Sequence, residues 1–466
     1  MAPTYQGPVK PCNSSVKDIR QLWPSLVTVA MLILLLFLAV GSSAKSLRHS
    51  TSYVPEQIHL SFGEVDNSMY VVWTTPTVVS DPFVLYSLNQ PNAPVTKVNA
   101  TLRLFSNDDW DIAPNADLFT YAAEMTGLQL GQFYQYQVGS SKAMSSSYVF
   151  RAKRDFSTGP PSKVIWYGDF GIGPEITLTL GALENITSTY EYDMIMQIGD
   201  LAYNLNSNGG ATGNTFLNDV QPIATIIPYM AVMGNHEGQE FDCSAHWTNR
   251  FAFPGNTSNL WYSLDVGLVH VIGLSTELAF YNDTINADQV AWLENDLKTV
   301  NRTKTPWVIV TGHRPTYCSA DWTMGSSSKL RSIPWQRHNQ DCITAAPIMR
   351  AVWEDIFYDY QVDIEMWAHV HSYERMNPAY NNQSYGADFI SHNEVRGAKA
   401  PIVIVAGMAG QQESYAPPSP TPLPWSVFQS SEKAYGVMTA YNSSALLWQQ
   451  IASNNYTVID YLWLWK

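Results

Sequence analysis

The sequence predicts a layered α/β domain preceded by an all-β sandwich, and three observations predict it. After residue 162, apolar runs of four to six residues alternate with helix-patterned stretches. Between residues 55 and 151 the pattern is different: short runs rich in β-branched and aromatic residues are separated by Asn, Asp, Gly and Pro clusters. The stretch STGPPS at 157–162 has linker composition and divides the two regimes.

The 466 residues suffice for two or three domains, and a 45% hydrophobic content provides a core. The formal net charge of −14 has the wrong sign for a binder of nucleic-acid backbone, so nucleic acid is excluded as a partner.

Residues 1–24 read as a polar tail carrying Lys10, Lys17 and Arg20 against Asp18. Residues 25–41 form an uninterrupted apolar run, short for a membrane span, and Ser42 and Ala44 are small residues at cleavage-site spacing. The segment 25–44 is therefore expected to be a cleaved signal peptide or an uncleaved signal-anchor. Either directs the remainder out of the cytosol, secreted or membrane-anchored through 25–41. Acceptor sequons agree with that route: they begin at Asn99, Asn185, Asn256, Asn282, Asn301, Asn382, Asn442 and Asn455, with one more, Asn13, before the run. Cys12 also precedes the run. Of the remaining cysteines, Cys318 and Cys342 bracket a polar loop and are the candidate disulfide. That leaves Cys243 as a free thiol or as a link between two chains of a homodimer.

In the first domain, expected at 52–153, strands are predicted at 57–62, 69–75, 83–88, 133–139 and 147–152, with Trp73 in the core. No catalytic grouping occurs there, and its role reads as packing and spacing. In the second domain, expected at 160–466, the apolar periodicity predicts helices at 286–300, capped by Asn286 with Gln289 at the third helical position, and at 347–361.

The second domain also repeats one arrangement five times. VIWYGD ends at Asp169. DMIMQIGDLAY carries Asp200 and Tyr203, and PYMAVMGNHE carries Asn235 and His236. WVIVTGHRP carries His313, and VDIEMWAHVHSYER carries His369 and His371. Each apolar run ends on a metal-type ligand, and glycine precedes it in four of the five. Sites in layered α/β folds gather beyond the carboxyl ends of strands, and glycine permits the sharp turn and close approach needed there. With His236 set aside, two Asp, one Tyr, one Asn and three His are too many for one ordinary ion. They suit two ions sharing a carboxylate, the arrangement that clamps both oxygens of an in-line phosphoryl displacement. His236 neighbours Asn235 and reads instead as the acid that protonates a departing alkoxide.

GDFG, GDLAY, GNHE, GHRP and AHVHSYER, in this order, resemble the five blocks of the purple acid phosphatases, within the metallophosphoesterase superfamily. The likeness covers about residues 52–466 and includes the fibronectin-III-like N-terminal domain of the larger members. It implies a metallophosphoesterase-like β-sandwich flanked by helices and hydrolysis of phosphate monoesters at acid pH by a metal-bound hydroxide. It further implies Fe(III) on Asp169, Tyr203, His371 and bridging Asp200, and a second divalent ion (Fe, Zn or Mn) on Asp200, Asn235, His313 and His369. His236 is implied as proton donor and Tyr203 as the source of the purple colour. In the last block, Ala368 stands where the family usually has glycine, a change of little consequence unless φ is positive there. Arg331 and His338, in the segment 316–342, and His246, in CSAHW, are weaker candidates for phosphate contact; a solvated loop accounts for each more simply. Two other readings remain: a phosphodiesterase or nucleotide pyrophosphatase on the same metal core, and a non-catalytic cell-surface recognition protein.

Overall fold

A computed structural model describes residues 52–103, 119–154, 161–238, 245–319, 342–385, 388–413 and 416–466. The segment 25–44, Cys243, Arg331 and His338 lie outside these residues. Among the described residues no helix is long and apolar enough to cross a membrane.

Strands β1 (Glu56–Phe62), β2 (Met69–Thr75), β3 (Phe83–Leu88), β4 (Thr96–Asn99), β5 (Thr101–Arg103), β6 (Phe119–Met125), β7 (Phe133–Gly139) and β8 (Tyr148–Arg151) form two antiparallel sheets, ordered β1-β2-β6-β5 and β4-β3-β7-β8. The five strands expected from pattern are present, with ends displaced by no more than one residue. β4, β5 and β6 were not expected. The first two are short and largely exposed, and β6 (FTYAAEM) carries Ala and Glu, which dilute a strand signal until pairing with β2 buries it. Trp73 is fully buried and stacks on Tyr121 with ring centroids 5.8 Å apart.

The larger part runs β9 (Ser162–Tyr167), α1 (Thr177–Thr187), β10 (Met194–Ile198), α2 (Ala211–Ala224), β11 (Tyr229–Val232), α3 (Asn235–Gly238), α4 (Ala245–Arg250), β12 (Tyr262–Val266), β13 (Val269–Gly273), α5 (Leu278–Tyr281), α6 (Asp283–Thr299), β14 (Trp307–Thr311), α7 (Ala345–Asp359), β15 (Ile364–Trp367) and β16 (Tyr373–Met376). It closes with β17 (Ala379–Tyr380), β18 (Gln383–Ser384), β19 (Asp388–Ser391), β20 (Glu394–Arg396), β21 (Ile402–Ala406), β22 (Ser426–Ser430), β23 (Ala434–Asn442), β24 (Ala445–Ala452) and β25 (Val458–Trp465). These make an eight-stranded sheet, β11-β10-β9-β23-β24-β25-β20-β19, and a seven-stranded sheet, β12-β13-β14-β15-β21-β16-β22, which share one buried core. β9, β10 and β11 are parallel in the first; β13, β14, β15 and β21 are parallel in the second. β10, β13, β14, β15 and β21 are buried at every position, which is why they read as continuous apolar runs rather than alternating ones.

Two helix expectations require correction. α6 starts at Asp283, and its cap is Asn282, whose Oδ1 accepts from Ile285 N at 3.0 Å. Asn286 lies inside the helix. Gln289 is fully buried and spans Ser275, accepting from its N at 2.9 Å and donating to its O at 3.0 Å, so tertiary bonding replaces the expected capping box. α7 begins at Ala345, with Pro347 accommodated in the first turn, where no intrahelical donor is needed.

The all-β domain is fastened to α2. Ile58 N donates to Gln221 Oε1 at 2.9 Å and Tyr136 OH donates to Thr225 O at 3.0 Å. The buried Arg250 guanidinium bridges Gln57 Oε1 (3.2 Å), Asn214 Oδ1 (2.9 Å) and Gly210 O (2.9 Å). His246 belongs to this packing: it is buried and takes a hydrogen bond from Arg250 Nε at 3.1 Å, so it is not in a solvated loop.

On the seven-stranded sheet, His270 Nδ1 meets Asp265 Oδ1 at 2.7 Å and Nε2 meets Asp296 Oδ2 of α6 at 2.9 Å. Burial opposes the imidazolium, but the two carboxylates outweigh it and raise the His270 pKa to about 9. A pKa raised on folding gives stability that is full below the unfolded value near 6.5 and lost as pH rises through about 9. Urea unfolding of wild type and H270Q is therefore expected to differ by about 2 kcal/mol at pH 6 and to converge near pH 10. A difference independent of pH would contradict the ion-pair reading.

Candidate metal centre

Every expected ligand sits just past the carboxyl end of a parallel strand: Asp169 after β9, Asp200 and Tyr203 after β10, Asn235 after β11, His313 after β14, and His369 and His371 after β15. Both sheets thus contribute to one rim. Asp169, Asp200, Tyr203 and His369 adopt left-handed backbone, with φ of 56°, 47°, 57° and 66°. Such strain costs on the order of 1 kcal/mol per residue and persists where surroundings over-determine it, typically at functional sites. Glycine makes room at two of the turns. A Cβ on Gly199, itself at φ 71°, would lie 2.4 Å from His313 Nδ1, and one on Gly234 would lie 2.3 Å from Asp200 Oδ1. Ala368 is not among the positive-φ residues, and the missing Cβ of Gly168 leaves space for its methyl.

The donors converge in two groups. Ligand atoms of Asp169, Asp200 and His371 lie within 4.8 Å of one another, as do those of Asp200, His313 and His369. Tyr203 OH joins the first group, 2.9 Å from His371 Nε2 and 3.4 Å from Asp169 Oδ1. Asn235 Oδ1 joins the second, 3.1 Å from His313 Nε2. Asp200, 1% exposed, is common to both groups.

The chemistry of this donor set fits two cations. His313 Nδ1 is 3.0 Å from the Ile198 carbonyl, which only accepts, so Nδ1 carries a hydrogen. Its Nε2 then faces Asp200 Oδ2 at 3.1 Å, Asn235 Oδ1 at 3.1 Å and His369 Nδ1 at 3.2 Å. A proton or a cation must sit among these lone pairs. Burial disfavours the imidazolium, yet the field of Asp200, Asp169 and Glu277 raises the His313 pKa to about 10, the same field that would attract a metal ion. Burial alone would raise the Asp200 carboxyl; His313, His236 and His369 outweigh it and hold Asp200 below the usual carboxylate range. Burial, with Asp169 and Asp200, pushes the Tyr203 phenol well above its ordinary value, so a phenolate there requires a strong Lewis acid beside it.

His236 stands apart from the ligand groups. Its Nδ1 is 2.9 Å from Asn204 Oδ1, its ring packs against Tyr203 at 4.6 Å, and its Nε2 faces Asp200 Oδ2 at 3.8 Å and Glu413 Oε1 at 3.5 Å. Asn204 and Glu413 were not foreseen, since no spacing rule links either to His236. Arg314 was not foreseen either; held by Glu277, it reaches His369 Nε2 at 2.9 Å. Cys318 and Cys342 form a disulfide, tying the segment after His313 to the start of α7. Of the eight sequons beyond the apolar run, seven asparagines are exposed; Asn282, the α6 cap, is half-buried.

Glu237 closes GNHE, and sequence reading gave it no role. Its buried carboxylate accepts from Asp200 N (2.9 Å), Leu201 N (2.9 Å) and Gly234 N (3.0 Å), clamping the loop of Asp200 to the loop of Asn235. E237A leaves three buried amides without that partner and is expected to lower stability by about 2 kcal/mol or more. It is also expected to reduce metal retained through gel filtration, measured by mass spectrometry. Unchanged stability and metal content would remove the clamp from the description.

The fold and this rim together define a metallophosphoesterase. Residues 163–373 match the calcineurin-like phosphoesterase family. Residues 55–152 match the purple acid phosphatase N-terminal domain, and residues 400–461 match the iron/zinc purple acid phosphatase-like protein C family. Acid phosphatase type 7 of Danio rerio is 34% identical over 421 residues, covering 88% of this chain and 91% of the relative. Acid phosphatase type 7 of Homo sapiens is 32% identical, covering 89% and 91%. The purple acid phosphatase PPD1 from seeds of yellow lupin, Lupinus luteus, superposes with a TM-score of 0.75 at 25% identity, covering 89% of this chain and 74% of that one. The chain belongs to the purple acid phosphatase family.

Proposed function

We propose that the chain hydrolyses phosphate monoesters at acid pH through two metal ions held by its seven converging donors. The observation that carries this reading is the buried Asp200 carboxylate, common to two donor groups. Asp169, Tyr203, His371 and Asp200 would hold Fe(III); Asp200, Asn235, His313 and His369 would hold a divalent Fe, Zn or Mn ion. When bound, the pair would supply Lewis-acid stabilisation of the phosphoryl oxygens and an activated water.

His236 supplies the proton for the leaving group. Asn204 holds Nδ1 and the Tyr203 ring supports one face, which leaves Nε2 to deliver its hydrogen towards the substrate. Glu237 keeps the two ligand loops in register. The exposed sequons support a glycosylated protein of the secretory route, secreted or anchored through 25–41 with the catalytic part outside the cytosol.

Leaving-group dependence tests the role of His236. H236A is expected to lose roughly 10²-fold or more in kcat on an alkyl phosphate, whose alkoxide needs a proton, and far less on an aryl phosphate with a good leaving group. Equal losses on both would contradict proton donation. Faster turnover of a diester than of its monoester by the wild type would favour the phosphodiesterase alternative.

A further inference from the structure

We propose that Asn382 carries an N-linked glycan whose first N-acetylglucosamine is seated on a platform of three tyrosines, fastening the β17–β18 hairpin to α7. The proposal rests on the secretory-route reading above. Asn381 and Asn382 are the two-residue loop of this hairpin, in which Tyr380 pairs with Gln383 and Ala379 with Ser384. Both loop residues have positive φ, 50° and 58°, as the favoured two-residue hairpin turn requires. The tip is fixed by its backbone: Asn381 N donates to Glu354 Oε1 at 2.9 Å and Asn382 N to Tyr317 OH at 3.1 Å. Asn382 itself is exposed, with Ser384 completing the acceptor sequence.

Two residues before Asn382, Tyr380 stacks on Tyr358 of α7, with centroids 4.0 Å apart and planes 14° from parallel. Tyr385 stands edge-on to both, at 5.4 Å and 5.5 Å. Hydrogen bonds lock the rings: Tyr380 OH donates to Asp355 Oδ1 at 3.0 Å and Tyr358 OH to Tyr385 OH at 3.1 Å. Tyr385 is 37% exposed, so these rings are ordered at the surface rather than by burial in the core. The C–H face of a pyranose carries slight positive charge and packs on the negative face of an aromatic ring, by the attraction that seats cations there. An ordered aromatic cluster that begins two residues before a glycan acceptor and is joined to it by a two-residue turn offers the first sugar of that glycan a surface to pack on.

The test uses full-length protein secreted from eukaryotic cells. Glycopeptide mass spectrometry reads occupancy, and melting temperatures are compared for wild type, S384A, Y380S and the double variant. S384A deletes the acceptor sequence yet keeps Asn382 in its positive-φ conformation. The expected result is an occupied Asn382, a fall of about 2 °C on S384A, and little further fall on S384A once Tyr380 is Ser. Trimming every glycan to its first sugar is expected to leave the S384A difference in place, a check that does not depend on Y380S folding. An unoccupied Asn382 beside other occupied sequons, or an S384A effect that is absent or the same in the Y380S background, would overturn the proposal. No glycan at any sequon would overturn the secretory-route reading itself, and the proposal with it.

Discussion

The Asp200 carboxylate is buried, yet it faces histidines delivered by the other sheet as well as the aspartate and tyrosine delivered by its own. A buried anion has to be matched by positive charge and by hydrogen-bond donors, and the surrounding structure meets that demand at every level. Strands from two sheets end on the same rim. Glycines at 199 and 234 let the His313 imidazole and the Asp200 carboxylate approach the backbone without a Cβ between them. His236 N donates to Asp200 Oδ1 at 3.0 Å, and Glu237 takes the Asp200 amide at 2.9 Å. Arg250 holds Gly210, on the same loop as Asp200 and Tyr203, while the all-β domain braces α2 behind it. A domain with no catalytic grouping of its own thereby stabilises the rim.

The overall charge of −14 makes the local field more informative. A phosphate ester is an anion, and an acidic surface repels it. The rim also gathers carboxylates, so the binding potential for phosphate has to come from cations bound within it together with histidine donors. The raised His313 pKa and the depressed Asp200 pKa are two sides of the same field, which favours positive charge within the cluster and would equally favour a metal ion there.

Most of this rim was legible in the sequence because strands buried on both faces leave a strong signature, and a polar residue after glycine at the end of such a strand marks a site. Asp169, Asp200, Asn235, His313, His369 and His371 were found this way, and Tyr203 through its place in GDLAY. Asn204, Glu413 and Arg314 escaped because their partners are 32, 177 and 55 residues distant, and no periodicity encodes those contacts. Glu237 was in plain view, but its role is to bind backbone amides, and amides have no sequence identity. The same applies to β6, whose Ala-Ala-Glu is strand because β2 and β5 lie beside that strand, and to Asn286, displaced as a cap because Asn282 had already started the helix.

The most direct measurement is the visible spectrum of the purified protein, with metal content by mass spectrometry, beside Y203F. The expected result is a broad visible band with about one iron or more per chain, and loss of the band in Y203F, since only a phenolate on Fe(III) within this donor set supplies that transition. A colourless, iron-free protein that nonetheless hydrolyses phosphate esters would contradict the Tyr203–Fe(III) assignment. A protein that binds neither iron nor zinc and hydrolyses nothing would contradict the two-metal centre altogether.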